Sequence, residues 1–271
     1  MPEGPEIRRA ADRLAAAVAG QTVVRAQFAF PALKRFEGEL PGSRILAIIP
    51  RGKALLTAFD NGWTLYTHNQ LYGVWKIAEP GQRPATTRSL RVALDTERAS
   101  LLLYSASDIE LWRSDQIEAH PFLQGLGPDV LDASLEVDAV ASRLQSPAFR
   151  GRALGGLLLD QGFLAGMGNY LRAEVLFDAA LHPAQRPRDL DAAQIARLAA
   201  ALLAIPRHSY ATRGIEPTPG MRADYLAHDG ERFRFRVFKR EGQPCERCGT
   251  AIARTTRQSR PLFLCPRCQP G

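Results

Sequence analysis

No cysteine occurs in the first 244 residues; all four fall in the last 27 of a 271-residue chain. A disulfide framework distributed through the fold is therefore not expected. No apolar run approaches the ~20 residues that a membrane-spanning helix needs. The charged N-terminus lacks the apolar core of a signal peptide. A cytoplasmic protein without a membrane partner is expected. The chain has no H-E-x-x-H, no Walker phosphate loop and no dinucleotide fingerprint, so the signatures of zinc hydrolysis, nucleotide hydrolysis and dinucleotide redox chemistry are missing. Each of the five histidines, His68, His120, His182, His208 and His228, lacks a second ligand at metal spacing. Internal repeats are absent as well.

What is present is concentrated. The net charge is +7, yet residues 232–268 hold ten basic side chains (Arg232, Arg234, Arg236, Lys239, Arg240, Arg247, Arg254, Arg257, Arg260 and Arg267) against Glu241 and Glu246. That stretch nets +8, which leaves −1 for all the other residues together. A focused positive field is the footprint of a polyanion-binding surface, here expected to be nucleic acid. Solubility alone would be better served by spread charge.

The cysteines read C-x-x-C, sixteen residues, C-x-x-C (Cys245, Cys248, Cys265, Cys268). That spacing suits a tetrahedral four-thiolate zinc site. A module of about 37 residues (232–268) buries too little apolar area to fold alone, and structural zinc supplies roughly 10–16 kcal/mol. Four thiolates leave no open position for a substrate water. One structural Zn2+ is expected, displaying a hairpin that carries Arg254, Arg257 and Arg260.

The chain opens MPEGPEIRR. Removal of Met1 would leave Pro2 as a secondary amine, followed by Glu3 and, one helical turn on, Glu6. An α-amino group has a reference pKa of ~8, roughly two units below lysine, so it is the better nucleophile at neutral pH. Ile7, Ala10, Ala11, Leu14 and Val18 share one stripe and predict a helix ending at Gly20. The same opening also serves as a plain helix start with acidic first-turn residues.

Downstream, alternation predicts strands over Val24–Phe30, Ile45–Ile49 (ended by Pro50), Ala54–Phe59, Trp63–Thr67, Val74–Ile77, Leu90–Leu94 and Leu101–Tyr104. Asp60-Asn61-Gly62 is a hairpin signal. Strands at this spacing imply a β-sandwich or barrel carrying the first helix. HPFLQGLGPDVLD (residues 120–132) has no periodicity and reads as a linker. Helices are predicted over Leu135–Gln145, Ala153–Asp160, Tyr170–Ala179 and from Asp191, with its Gln194 capping box, to about Ile205. Residues 214–230 read as a mobile loop, and residues 232–237 as a basic strand. The fold class is α+β, with domains at 1–119 (catalytic sandwich), 133–231 (helical) and 232–271 (zinc finger), joined by the linker 120–132.

Two further stretches carry chemical potential. Ala165-Gly166-Met167-Gly168-Asn169 precedes a helix N-terminus, so its amides could cradle an anion, with Asn169 adding a donor; it could equally be a glycine-capped helical hairpin. Gln70-Leu71-Tyr72 sets an amide, an apolar wedge and an aromatic in sequence, the equipment for filling the hole left by an extruded base, or simply a strand end. Lys53 lies in a tight turn, where a lysine is usually solvated.

PEGPEIRRAADRL, RGKALLT, HNQLYGVW, GMGNYLRAE and the C-terminal SRPLFLCPRC together resemble the Fpg/Nei family of DNA glycosylases, nearly end to end and in the family's order. The opening PEGPE and the HNQLYG loop favour its endonuclease VIII branch. The resemblance implies a helix-two-turns-helix domain between the sandwich and the finger. It implies that Pro2 attacks C1′ of a damaged nucleotide, that Glu3 serves acid/base steps at the deoxyribose, and that Glu6 supports the site. Lys53 would contact phosphate and assist elimination. Gln70, Leu71 and Tyr72 would fill the void in the duplex. Asn169 would bind phosphate, and Arg260 would grip the phosphates flanking the flipped nucleotide and promote δ-elimination.

In the endonuclease VIII branch the linker near HPFLQ carries a DNA-contacting arginine; this chain has Gly125 there. The loop 214–230 also departs from the family pattern. The expectation is a monomeric, nucleoid-associated glycosylase/abasic-site lyase that removes oxidised pyrimidines from double-stranded DNA by β,δ-elimination. The alternatives are the same chemistry on oxidised purines, or a non-catalytic zinc-ribbon DNA-binding protein.

Overall fold

The computed structural model describes residues 2–212, 215 and 232–271. The chain divides into two compact units, Met1–Pro2 with Glu6–Gln124, and Glu3–Pro5 with Gly125–Gly271.

Helix α1 (Gly4–Val18) turns Ala11, Leu14 and Val18 into the core of the first unit. Gly20 follows with φ +78°, the left-handed stop that glycine takes without a Cβ penalty. Eight strands follow: β1 (Val23–Phe28), β2 (Ile45–Arg51), β3 (Ala54–Phe59), β4 (Trp63–His68), β5 (Val74–Ala78), β6 (Leu90–Thr96), β7 (Ser100–Tyr104) and β8 (Asp108–Arg113). A single helical turn, α2 (Phe36–Glu39), lies between β1 and β2. The strands form two antiparallel sheets, ordered β1-β6-β7-β5 and β2-β3-β4-β8. Phe28, Val92, Leu94, Leu101 and Leu103 of the first sheet share one core with Ile45, Leu55, Phe59, Leu65 and Ile109 of the second. This is the expected sandwich, with alternate residues turned inward.

Two details of the first unit depart from the pattern read in sequence. Pro50 does not end β2; it pairs opposite Leu55 and the strand runs on to Arg51. β2 is the edge strand of its sheet, beside β3, and an edge strand has a side on which no N–H is needed at Pro50. β8, a strand not anticipated, pairs with β4 along its whole length; among its residues only Ile109 is fully buried, so its apolar signal is thin. In the segment read as linker, Pro121–Gln124 forms one helical turn, α3, and the division between the units falls after Gln124.

The second unit is built on helices α4 (Val137–Gln145), α5 (Leu154–Leu157), α6 (Asn169–Asp178) and α7 (Ala192–Ala211), followed by the hairpin β9 (Ala253–Arg257) and β10 (Arg260–Leu264). The capping box of α7 is formed, with Gln194 N donating to Asp191 Oδ1 (2.7 Å) and Asp191 N donating to Gln194 Oε1 (2.9 Å). α7 passes through Pro206 and ends at Ala211 instead of near Ile205. The proline costs one backbone bond, but Ile195, Leu198, Leu202 and Leu203 hold the helix in the core. α5 is only four residues long, in keeping with two glycines, poor helix formers, inside it.

α6 is buried from Tyr170 through Phe177, because it is shared by two clusters. Tyr170, Leu171, Val175 and Leu176 belong to the helical core, and Ala173 and Phe177 to the core of the cysteine module. Residues 232–237 keep the expected alternation, with Phe233, Phe235 and Val237 buried and Arg232 and Arg234 exposed. They do not form a strand. The N–H groups of Arg236, Val237 and Phe238 donate to the Glu174 carboxylate at 2.9, 3.1 and 2.8 Å, so they are not offered to a sheet. The stretch 214–230, read as a mobile loop, lies outside the described residues except for Ile215, which bridges to Phe233. Among the described residues no helix is long and apolar enough to cross a membrane.

Candidate functional site

Glu3 meets the start of α6. Its Oε1 accepts from Tyr170 N at 2.8 Å and its Oε2 from Leu171 N at 3.2 Å, and the side chain is 3% exposed. The residue at the helix cap, Gly168, has no side chain to satisfy these amides. A carboxylate distant in sequence therefore does the work of an N-cap, with the helix dipole in its favour. Gly4 N donates to Gly166 O at 2.8 Å. The glycines of GMG serve this approach. A Cβ on Gly168 would run into Cδ, Cγ and Oε1 of Glu3, and Gly166 sits at φ +91°. The anion in the cradle expected over residues 165–169 is thus the chain's own carboxylate.

Asn169 opens α6 and turns toward the hairpin. Its Nδ2 donates to the carbonyl of Pro261 at 3.0 Å, and its Oδ1 accepts from Arg172 Nη2 at 2.5 Å. Arg260, beside Pro261, starts β10 and is exposed. It pairs with Arg257 across the two-residue turn Gln258-Ser259, both at positive φ (51° and 57°). Glu3, Asn169 and the strand of Arg260 thus converge on one helix terminus. Arg172, not singled out in sequence, lies at their centre. It is 0% exposed and donates also to Gly155 O at 2.7 Å and Pro261 O at 3.3 Å. Burial lowers its pKa to about 10, with Glu3 raising it and Arg260 lowering it further. The available signal was a charged residue set between the apolar Leu171 and Ala173 of the helix.

In the first unit, Lys53 shares the two-residue turn between β2 and β3 with Gly52, which has φ +59°. Ala54 pairs with His68, so Lys53 and the loop after β4 emerge at the same end of the sheet. Burial lowers the His68 pKa, which Asp108 raises and Lys53 lowers further. In the loop, Gln70 has φ +48° and its Oε1 accepts from Ser107 Oγ at 3.0 Å. Leu71 and Tyr72 are large apolar side chains left 49% and 65% exposed, the state a wedge requires. Glu6 is buried on α1 and its Oε1 accepts from Arg9 Nη2 at 2.7 Å. Pro2 is buried.

The four cysteine Sγ atoms all lie within 4.8 Å of one another. Cys245 and Cys268 are 3.9 Å apart and Cys248 and Cys265 3.5 Å. Thiolates about 2.3 Å from one tetrahedral centre would be spaced by roughly 3.8 Å. The donor set and its spacing fit a single zinc ion with no position left open.

The chain matches the Formamidopyrimidine-DNA glycosylase N-terminal domain over residues 1–107, the Formamidopyrimidine-DNA glycosylase H2TH domain over 126–216 and the zinc finger found in FPG and IleRS over 242–271. It is 55% identical over 269 residues to Endonuclease 8 of Shigella sonnei (strain Ss046) and to Endonuclease 8 of Escherichia coli (strain K12 / DH10B), across 99% of this chain and 100% of each relative. Among solved structures it is similar to Lactococcus lactis Fpg in complex with DNA containing an abasic site (TM-score 0.85, 22% identity, 99% of this chain and 100% of that one). It is also similar to the wild-type Lactococcus lactis Fpg in complex with DNA containing an oxidised pyrimidine (TM-score 0.84, 22% identity, 100% of both). At that identity the two structures speak for the fold alone.

Proposed function

The chain belongs to the Fpg/Nei family of DNA glycosylases, and from that premise we propose that it excises oxidised pyrimidines from duplex DNA through a covalent iminium at Pro2. It is a base-excision-repair DNA glycosylase with abasic-site lyase activity. Full-length similarity to proteins named Endonuclease 8 supports the proposed substrate class.

Basic side chains hold the duplex by its phosphates. The lesion is extruded, which costs a few kcal/mol and least for a damaged base. Leu71 and Tyr72, with Gln70, fill the space it leaves. Pro2, a secondary amine once Met1 is removed, attacks C1′. The bond from C1′ to the base nitrogen breaks and the base leaves with a proton; the C1′–O4′ bond then opens, O4′ taking a proton, and an iminium links C1′ to the enzyme. Glu3 moves protons at the deoxyribose, with Glu6 supporting it. Loss of the C2′ proton breaks the C3′–O bond, and a second elimination breaks the C5′–O bond. A gap with phosphate at both ends remains. Lys53, Asn169 and Arg260 hold the flanking phosphates, and Lys53 and Arg260 also assist elimination. Cys245, Cys248, Cys265 and Cys268 would hold one zinc ion, which when bound would supply the fold of the finger that carries Arg260. The proposed place of action is the cytoplasm, in keeping with similarity to bacterial Endonuclease 8 proteins.

The anchoring of Glu3 carries this reading. Two amides at the N-terminus of α6 fix the residue next to Pro2, the rigidity that a nucleophile at a chain end needs. The test is borohydride trapping on a duplex with a single thymine glycol, followed by sequencing of the cross-linked peptide. A cross-link at Pro2, lost in Pro2→Gly, is expected. A cross-link at Lys53 would move the nucleophile. Binding without any cross-link would refute the covalent mechanism. Faster cleavage of an 8-oxoguanine duplex than of thymine glycol would overturn the substrate class.

A further inference from the structure

A fully buried guanidinium is costly unless its donors are met. Arg172 meets three acceptors on three different pieces of the second unit: Gly155 O on α5, Asn169 Oδ1 at the start of α6, and Pro261 O on β10. Its Nε has no hydrogen-bond partner among the described residues. No carboxylate pairs with it among the ion pairs of the described residues, and the charges felt at its guanidinium are those of Glu3 and Arg260. A buried charge of this kind is weak evidence for stability, because apolar replacements of equal volume are often neutral or better. What it provides is geometry. Pro261 O accepts from both Asn169 and Arg172, so one carbonyl, one amide and one guanidinium form a closed set. α5 completes the fit. A Cβ on Gly156 would meet the Gln258 amide, and one on Gly155 would meet Pro183 and Arg257, so the hairpin turn rests on a surface that only glycine leaves open.

We propose that Arg172 is a positioning residue for the lyase half of the reaction: it orients Asn169 and fixes the start of β10, and through them sets where Arg260 stands on the phosphate. It acts through those two residues without touching substrate. This role rests on the lyase reaction proposed above and deepens it.

The experiment uses full-length, zinc-loaded protein on a duplex with one abasic site, comparing wild type with Arg172→Met and Arg172→Lys. Borohydride trapping reads iminium formation, and gel separation reads the ratio of β,δ- to β-elimination product. At saturating duplex, trapping is expected to fall less than the product ratio, because Arg172 acts through Asn169 and the strand of Arg260 and not through Pro2. The product ratio should fall by about tenfold in Arg172→Met, the scale of one lost charge-assisted hydrogen bond. Arg172→Lys should fall between the two, since an ammonium cannot span the three acceptors. In an Arg260→Gln background, Arg172→Met should lower the ratio no further, because the two changes remove one function. An unchanged ratio in folded, zinc-bound Arg172→Met would overturn the proposal, as would an equal drop in both backgrounds. If Arg172→Met fails to fold or to hold zinc, a wild-type ratio in Arg172→Lys overturns it instead. A wild-type enzyme that forms no trapped species would defeat the lyase reading itself, a different outcome from any of these.

Discussion

Glu3 is placed by a glycine. Gly168 leaves the room in which the Glu3 side chain lies, and the amides of Tyr170 and Leu171 hold both carboxylate oxygens. A methyl group on residue 168 could be accommodated only by moving Glu3 off those amides. With Glu3 in the acid/base role proposed above, Gly168→Ala should therefore slow base excision by about 10²-fold, the scale of an ångström-sized misplacement of a catalytic group. Zinc content should stay the same. Single-turnover cleavage of a thymine glycol duplex measures the rate, and a wild-type rate would show that the orientation of Glu3 is not limiting. Glu174 shows the same economy one turn further along α6. Its carboxylate takes three consecutive amides of residues 236–238; burial pushes its pKa up while those donors pull it back.

At the scale of elements, α6 links the two cores of the second unit. Its apolar residues divide between the helical core and the cysteine module, while Arg172 and Glu174 hold the hairpin and the chain entering the module. The hairpin itself contains strain. Gln258 and Ser259 both adopt left-handed backbone, the geometry that matches the twist of a two-residue hairpin but costs an L-residue roughly 1–2 kcal/mol. Ser259→Gly should relieve part of that and raise the stability of the module by about 0.5–1 kcal/mol, within the range seen for compatible backbone substitutions. Denaturant unfolding followed at the module, with zinc bound, would measure it. A loss of stability would mean that the serine side chain contributes more than its backbone costs.

At the scale of the whole molecule, the positive charge and the metal lie in the same stretch. Residues 232–268 net +8 in a chain that nets +7, and the four cysteines hold that stretch together. Chelation should unfold the module, since its zinc supplies on the order of 10–16 kcal/mol. The sandwich has its own core (Phe28, Phe59, Leu65, Leu101) and does not depend on the metal. The expected result is loss of near-stoichiometric zinc, a large drop in affinity for duplex DNA, a shallower salt dependence of what binding remains, and persistence of the sandwich's β signal by circular dichroism. Unchanged DNA affinity after complete zinc removal would separate the finger from DNA binding.

Much of this was legible in the chain because it is local. Zinc ligation needs only two knuckles at the right spacing, so Cys245, Cys248, Cys265 and Cys268 could be assigned without a fold. The helix of residues 4–18 follows from its apolar stripe, and the hairpin at Asp60-Asn61-Gly62 from turn chemistry. The capping box at Asp191 needs four residues. Alternation located the β-rich half, although the continuation of β2 through Pro50 required knowing that the strand is an edge. What the sequence could not determine is long-range. The carboxylate of Glu3 finds amides 167 residues away. The glycines at 166 and 168 read equally well as a cradle for a foreign phosphate. Arg172 was not singled out in the sequence, because Gly155, Asn169 and Pro261 surround it only after packing. Backbone preference and ligand spacing act over a few residues. A buried polar group acquires its partners only when separate elements close around it, and those partners were decided by the tertiary structure.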